Sequence, residues 1–314
     1  MSIKENATGS GLSSSSSLDS GYATRIRTTR FGVTRIGVTG IPFSCTNTAI
    51  AKLVLCCLSL VQAVPLLMIH STPILSNANY SFGQKIRWLR LLWRTLQDRR
   101  LYRVADAILA QSAAKVPVVL DIGANVGAFS RAFVKAGRRP GLVLAFEPSS
   151  YVFSILQIVT RRLHQVQCHK IALSSAAGIV DLQTPIKTSG SLRIGLSYIG
   201  AATDSNTLTE TVPAQRLDDF LADRQLDSID VVKMDVEGAE QLVLDGAPDL
   251  LKRVRPIWYV EIDENRAQRF GDTAQMLFAT FTGNGYKAFY FDDDFNLQPV
   301  TGIGAASDYL FLPG

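Results

Sequence analysis

Short apolar runs alternate with amphipathic stretches through the last two thirds of the chain. The runs predict strands that are buried on both faces, as in a parallel sheet, at residues 117–122, 142–146, 166–173, 230–234 and 256–262. Helical spacing separates them, with predicted helices at residues 128–135, 149–163, 217–225, 237–251 and 268–284. Strands at 287–291 and 307–312 complete the pattern. The alternation predicts an α/β domain with helices on both faces of a mostly parallel sheet.

A glycine turn joins the first of these strands to the helix behind it. Gly123 and Gly127 allow the backbone to turn sharply and to pass close to a ligand, and such a turn predicts a nucleotide-cofactor site. A dinucleotide-binding turn requires a further glycine where this chain has Asn125. Asp121, directly before the loop, would repel phosphates but suits an ammonium or sulfonium group. The charge pattern therefore favours S-adenosylmethionine, which has both cations and no phosphate, over NAD.

An acidic residue stands where a ribose is expected. Glu147 ends the second strand, 20 positions after Gly127. A carboxylate at the tip of this strand accepts hydrogen bonds from ribose hydroxyls in nucleotide-binding folds of this kind. Glu147 is therefore a candidate cofactor-binding residue together with the glycine turn.

Four motifs in this order resemble the FkbM family of S-adenosylmethionine-dependent methyltransferases, between about residues 118 and 261. They are DIGANVG at 121–127, FEP at 146–148, IALS at 171–174 and KMDVEGAE at 233–240. The resemblance implies a Rossmann-like class I methyltransferase fold with a seven-stranded sheet, in which the last two strands form an antiparallel edge pair. It also implies methylation of a hydroxyl on a sugar or other small molecule. By the same resemblance, Ala172 and Leu173 are adenine contacts, for which strand-end packing is the alternative.

Methylation of an aliphatic hydroxyl needs a positioned base. The three histidines all precede the fourth strand, so the candidate bases are carboxylates at strand ends, first Asp235 and second Glu261. Glu237, Lys233 and Asp263 are candidate substrate-binding residues. A divalent cation held by Asp235, Asp263 and a neighbour would also activate a hydroxyl, but the spacing contains no dedicated metal motif.

Two other functions remain open at this point. One is a NAD(P)-dependent oxidoreductase on a similar fold, against which Asn125 and the lack of a Tyr-x-x-x-Lys pair near the fourth strand speak. The other is a cofactor-binding accessory protein without catalysis. The net charge of +5 is too small to indicate a nucleic-acid partner, and the four cysteines, at 45, 56, 57 and 168, indicate neither a disulfide framework nor a zinc site.

The N-terminal third differs from the rest of the chain. Residues 1–48 predict a disordered tail rich in serine and arginine, and translation starting at Met68 is an alternative. Residues 49–70 contain a hydrophobic segment, with an apolar run at 53–69 at the lower limit for spanning a bilayer. If this run is an anchor, the arginines that follow place the catalytic domain in the cytosol, where S-adenosylmethionine is made.

The methyltransferase domain is predicted to cover residues 112–314. Before it, residues 84–111 predict a basic amphipathic helix that covers the sheet or the cofactor cleft, with binding to a membrane surface as the alternative. Inside the domain, residues 178–183 and 210–214 are expected to pair as extra strands. Residues 187–207 between them are expected to form a lid over the substrate, with Tyr198 and Arg193 as recognition side chains.

Overall fold

The computed structural model describes residues 74, 77–188, 190, 192–200, 206–224, 226 and 228–314. The predicted tail at 1–48 and the hydrophobic segment at 49–70 lie outside these residues. Among the helices of the described ranges, none combines the length and the hydrophobicity that crossing a bilayer requires.

The chain forms twelve strands in the described residues. They are β1 (Val118–Ile122), β2 (Leu142–Phe146), β3 (Val166–His169), β4 (Ala172–Leu173), β5 (Gly178–Pro185), β6 (Tyr198–Ile199), β7 (Thr207–Gln215), β8 (Val231–Met234), β9 (Ile257–Glu261), β10 (Tyr286–Phe291), β11 (Leu297–Val300) and β12 (Asp308–Pro313). The helices are α1 (Phe82–Gln97), α2 (Leu101–Ala110), α3 (Ala128–Lys135), α4 (Ser150–Thr160), α5 (Leu217–Ala222), α6 (Glu240–Asp245), α7 (Glu264–Ala267) and α8 (Ala274–Gly283). Short 3₁₀ turns cover Ile194–Leu196 and Gln268–Phe270, and a π-turn covers Leu250–Val254.

The main sheet confirms the predicted α/β class but has eight strands where seven were predicted. Its order is β11-β10-β12-β9-β8-β1-β2-β3. The five strands from β9 to β3 run parallel, and β12, β10 and β11 add antiparallel pairs at one edge. The additional strand is β11, which a tight turn at 292–296 folds back onto β10. Because the chain leaves β1 in opposite directions toward β2 and β8, the topology creates a crevice at the carboxyl end of β1.

Side chains of the parallel strands alternate between two hydrophobic cores. Leu120 and Val232 face one core with α6 and α8, whereas Val119 and Val231 face the other with α2 and α3. This alternation follows from the two-residue repeat of a strand. Helices therefore cover both faces, as the sequence predicts.

A second, four-stranded sheet stands beside the main one, in the order β4-β7-β5-β6. The predicted pairing of 178–183 with 210–214 is confirmed, because all of β5 pairs antiparallel with residues 207–214 of β7. The predicted single strand at 166–173 was wrong in one respect. It breaks at residues 170–171, so that β3 joins the main sheet and β4 joins the second sheet.

The predicted helix at 84–111 is two helices, α1 and α2, separated at residues 98–100. Ser81 starts α1 through a capping box with Gln84, in which each side chain bonds to the other residue's backbone amide. Trp88 on α1 is fully buried against α4 and donates a hydrogen bond of 2.8 Å to the Ser154 hydroxyl. Both helices thus pack on the core, as expected for an apolar stripe of this width.

Candidate active site

The glycine loop after β1 rests directly on the backbone that follows β8. Gly123 has a φ of 71°, and a Cβ on this residue would lie 1.8 Å from the carbonyl oxygen of Asp235. Gly127 has a φ of 81°, and its Cβ would lie 2.7 Å from a methyl group of Leu156. Only glycine satisfies both the left-handed conformation and the close approach. The two glycines therefore fix the loop against β8 on one side and α4 on the other.

Every backbone amide from residue 124 to residue 127 donates a hydrogen bond within the protein. Ala124 N–H donates to the Phe146 carbonyl at 2.9 Å, and Gly127 N–H donates to the Ala124 carbonyl at 2.8 Å. Asn125 N–H donates to Glu147 at 2.9 Å, and Val126 N–H donates to the Asn125 side chain at 2.8 Å. A phosphate-binding loop needs amides directed at the ligand. These four amides have no free hydrogen for a phosphate.

Glu147 forms part of the floor beneath this loop. Its two carboxylate oxygens accept the amide hydrogens of Asn125 and Ser149, each at 2.9 Å, and the residue is 7 % exposed. Burial raises the pKa of Glu147 to about 7, although the two amides favour the charged form. Glu147 also lines the cleft described below.

Asp121 does not line the cleft, contrary to its predicted place beside the cofactor. It is fully buried beneath the loop, where the Ser130 hydroxyl donates to one oxygen and the Lys233 ammonium lies 3.4 Å from the other. Lys233 is 4 % exposed and also donates to the Gly123 carbonyl at 2.9 Å. The charge of Asp121 is therefore compensated, and the residue supports the loop through Lys233. Lys233, predicted as a substrate contact, does not line the cleft, because its ammonium is enclosed by these partners.

Three carboxylates stand side by side along the carboxyl edge of the main sheet. Asp235 follows β8, Glu261 ends β9, and Asp308 begins β12, where it pairs directly with Glu261. Burial raises the pKa of Glu261, and a side-chain hydrogen bond with Asp235 together with its charge raises it further. Burial and the charge of Asp235 raise the pKa of Asp308, which is hydrogen-bonded to the Tyr259 hydroxyl. Asp235, Glu261 and Asp308 are called the carboxylate row below.

Arg266 links the row to Glu237. Its guanidinium lies 3.0 Å from Glu261 and 3.0 Å from Glu237. Glu237 has a φ of 59°, a strained value for a glutamate, and burial and the charge of Asp235 raise its pKa to about 7. The carboxylate of Asp263 caps α7 by accepting the Arg266 amide hydrogen at 3.0 Å. Asp263 was predicted to bind the substrate. Instead of lining the cleft, it positions Arg266.

These elements surround a cleft of about 640 Å³. Among the predicted residues, the cleft is lined by Gly123, Asn125, Glu147, Ala172, Leu173, Asp235 and Glu237. The opposite wall consists of Ile194, Ser197, Tyr198 and Ile199 from the segment predicted as a lid, and Arg269 lies over the Tyr198 ring at 5.4 Å. Glu261 and Gly127 stand behind this lining. In the part of the chain that the structure describes, the lining contains three carboxylates and no lysine or arginine.

Sequence reasoning missed Arg266, Tyr259 and Asp308. Arg266 follows Glu261 by five residues, and its position depends on the cap that Asp263 forms. Asp308 and Tyr259 meet only through the antiparallel register of β12 and β9. No group of three or more histidine, cysteine or acidic side chains among the described residues is arranged to hold a metal ion.

Comparison with known proteins places this site in a family. Residues 121–288 match the model of the methyltransferase FkbM domain. The chain is similar to the 2-O-methyltransferase NoeI of Sinorhizobium fredii, with 29% identity over 152 residues, which are 45% of this chain and 62% of that protein. It is also similar to the hexuronic acid methyltransferase AglP of Haloferax volcanii, with 26% identity over 59% of this chain and 72% of the relative.

Among solved structures, methyltransferase FkbM from Methylobacillus flagellatus aligns with 84% of this chain and 60% of its own, at a TM-score of 0.41 and 12% identity. The chain thus spans about three fifths of the length of NoeI and of this structure. The family model covers more than half of the 314 residues and includes the glycine loop, Glu147 and both candidate bases. The chain therefore belongs to the FkbM methyltransferase domain family.

Proposed function

We propose that this protein transfers a methyl group from S-adenosylmethionine to a hydroxyl group of a sugar or other small molecule. The methyltransferase domain is proposed to cover residues 112–314, with its cleft facing the cytosol. Family membership supports the reaction class, and the names of NoeI and AglP support a hydroxyl or sugar acceptor. The choice of S-adenosylmethionine as cofactor rests on the hydrogen bonds that the backbone amides of the glycine loop donate.

A dinucleotide would need the backbone amides of residues 124–127, and all four already donate hydrogen bonds to acceptors within the protein. Three carboxylates in the cleft lining would repel a pyrophosphate and attract a cation. The residues present thus fit a cationic cofactor without phosphate, and they disfavour the alternative of a NAD(P)-dependent oxidoreductase.

The residues that would hold the cofactor divide into three groups. Glu147 would accept the ribose hydroxyls, because its carboxylate forms part of the cleft floor. Gly123 and Asn125 would contact the amino-acid portion from the loop side. Ala172 and Leu173 would lie against the adenine, since both line the apolar end of the cleft. Asp121 would act indirectly, by holding Lys233 against the Gly123 carbonyl.

When bound, S-adenosylmethionine supplies a methyl group on a sulfonium sulfur, which keeps the bonding electrons as the methyl group leaves. The Asp235 carboxylate takes the proton of the acceptor hydroxyl as the new carbon–oxygen bond forms. Glu261 is the protonated member of the pair and directs its proton at Asp235. Arg266 fixes the Glu261 carboxyl group in place. The ammonium of Lys233 lies 3.7 Å from the Asp235 carboxylate.

The proposal is tested by incubating the protein with S-adenosylmethionine that carries a tritiated methyl group and with a panel of glycosides and small alcohols. We expect transfer of tritium to at least one hydroxyl acceptor, and loss of the transfer in Asp235→Asn. Binding of the cofactor with no transfer to any acceptor would favour the other alternative, a non-catalytic accessory protein.

A further inference from the structure

A second depression lies at the far end of the carboxylate row from the cofactor cleft. It is an open groove of about 860 Å³, lined among others by Tyr259, Phe291, Phe295, Ser307 and Asp308. The turn at 292–296 between β10 and β11 forms one wall, and the start of β12 forms the other. We call this depression the turn groove.

The turn groove lies at the same edge of the main sheet as the proposed catalytic carboxylates. Asp308 lines the groove and pairs with Glu261 across the β9–β12 ladder. Asp235 follows β8, the strand beside β9, its charge raises the pKa of Glu261, and Asp235 lines the cofactor cleft. The carboxylate row therefore runs from Asp235 in the cofactor cleft, through Glu261, to Asp308 in the turn groove. A methyl acceptor must meet the cofactor at this base, so the groove has the position of an acceptor site.

Phe295 occupies a backbone conformation that suits asparagine or glycine better. Its φ is 65°, in the left-handed region that bulky side chains rarely adopt. The Asp292 carboxylate holds the turn by accepting the amide hydrogens of Asp294 at 3.0 Å and Asn296 at 2.8 Å. The guanidinium of Arg103 lies 4.5 Å from the centre of the Phe295 ring and fixes its orientation. Strained residues of this kind are concentrated at functional sites, which indicates a role for the ring.

The chemistry of the groove favours one class of ligand. The rings of Phe291 and Phe295, with centroids 6.4 Å apart, both line the groove, and Arg103 lies over one face of Phe295. The C–H groups of a pyranose ring can stack on electron-rich aromatic faces of this kind. The Ser307 hydroxyl donates to the Asp308 carboxylate at 2.9 Å, and the oxygens of both groups are acceptors for ring hydroxyls. Among the described residues, the lining contains the carboxylates of Asp292, Asp293 and Asp308 and no lysine or arginine, while Arg103 lies over the Phe295 ring. This excess of negative charge disfavours an acceptor that carries a carboxylate of its own.

We propose that the turn groove is the acceptor subsite, that it takes a neutral glycoside, and that Phe295 is its stacking surface. This inference rests on the proposed methyl transfer and adds to it the location and the charge of the acceptor. It distinguishes the chain from a relative such as AglP, whose name states an acidic sugar as substrate.

The test uses the full chain and the variant Phe295→Asn, because asparagine tolerates a positive φ and should preserve the turn. Binding of methyl hexopyranosides and of the corresponding methyl hexuronides is measured by saturation-transfer NMR titration, with and without S-adenosylhomocysteine. Phe82→Asn, at a phenylalanine that is 55 % exposed at the start of α1, is the matched control. We expect neutral glycosides to bind better than hexuronides, and Phe295→Asn to weaken that binding by about tenfold. The control should bind like the parent protein.

The proposal is overturned if Phe295→Asn binds neutral glycosides as well as the parent protein does, if no neutral glycoside binds, or if hexuronides bind better. Affinity for S-adenosylhomocysteine should be the same in all three proteins. If the parent protein failed to bind S-adenosylhomocysteine, the proposed function itself would be wrong, and the glycoside titrations without it would still decide the role of the groove.

Discussion

The ammonium group of Lys233 lies 3.4 Å from the carboxylate of Asp121, and both residues are almost completely buried beneath the glycine loop. The same ammonium donates to the carbonyl of Gly123 at 2.9 Å and lies 3.7 Å from Asp235. Asp121 and Asp235 together raise the pKa of Lys233, although its burial acts in the opposite direction. This ion pair therefore joins the floor of the cofactor loop to the proposed base.

Removing only one member of this pair should destabilise the fold. Lys233→Met leaves the Asp121 carboxylate buried without its cation, which should lower the free energy of unfolding by about 3–5 kcal/mol. The double variant Asp121→Asn, Lys233→Met removes both charges and should be more stable than Lys233→Met alone. Urea denaturation of the parent, both single variants and the double variant measures the coupling. If the two single effects simply add, the pair has no energetic role.

Glu147 should recognise the cofactor through the ribose. Glu147→Ala is expected to weaken the binding of S-adenosylhomocysteine, because it removes the carboxylate on the cleft floor. The loss should be much smaller for an analogue that lacks both ribose hydroxyls, as measured by calorimetric titration of each ligand. Equal losses for the two ligands would mean that Glu147 acts only by holding the amides of Asn125 and Ser149.

The stability of the unliganded protein should decrease between pH 5 and pH 8. Burial raises the pKa of Glu147 from 4.5 to about 7, so the folded protein holds a proton that the unfolded chain has already released. Because the folded-state pKa is the higher one, this stabilisation is complete below pH 4.5 and disappears as the pH rises through 7. For Glu147 the difference corresponds to about 3 kcal/mol. Glu237, whose pKa is also raised to about 7, contributes in the same direction.

Glu147→Gln, which does not titrate, provides the control for this pH dependence. Thermal denaturation of both proteins at a series of pH values should show a weaker decrease for the variant. A decrease of identical size in parent and variant would show that the Glu147 carboxyl group is charged in the folded protein throughout this range.

Asp235 and Glu261 should respond differently to conversion to amides. Asp235→Asn removes the proposed base and should lower kcat for methyl transfer by about 10²–10⁴-fold. Glu261→Gln should retain most of the activity, since an amide can still donate to Asp235 and accept from Arg266. Initial rates with any acceptor that the tritium assay identifies provide the measurement. The roles of the two residues are reversed if Glu261→Gln is the inactive variant.

The sequence predicted those features that depend on local pattern. The apolar runs located the parallel strands, and Gly123 and Gly127 located the turn, because strand burial and positive φ values leave direct signatures. Glu147 and Asp235 were expected at the cleft because strand ends in a parallel sheet meet at one edge, and both line it.

Features that depend on register and on side-chain direction could not be predicted in this way. Asp121 stands at the expected end of β1, but the strand repeat turns its side chain toward Lys233 instead of the cleft. Arg266 has no motif of its own and reaches Glu261 only through the short helix that Asp263 caps. The edge strand β11 was missed because its pattern is too short to separate from the turn at 292–296.

The glycine loop is proposed to hold S-adenosylmethionine and not a dinucleotide. The most direct test is a calorimetric titration of the protein with S-adenosylhomocysteine and, separately, with NAD. Because the amides of residues 124–127 are already used, we predict binding of S-adenosylhomocysteine and none of NAD. Binding of NAD without binding of S-adenosylhomocysteine would contradict the proposed cofactor and, with it, the methyl-transfer mechanism.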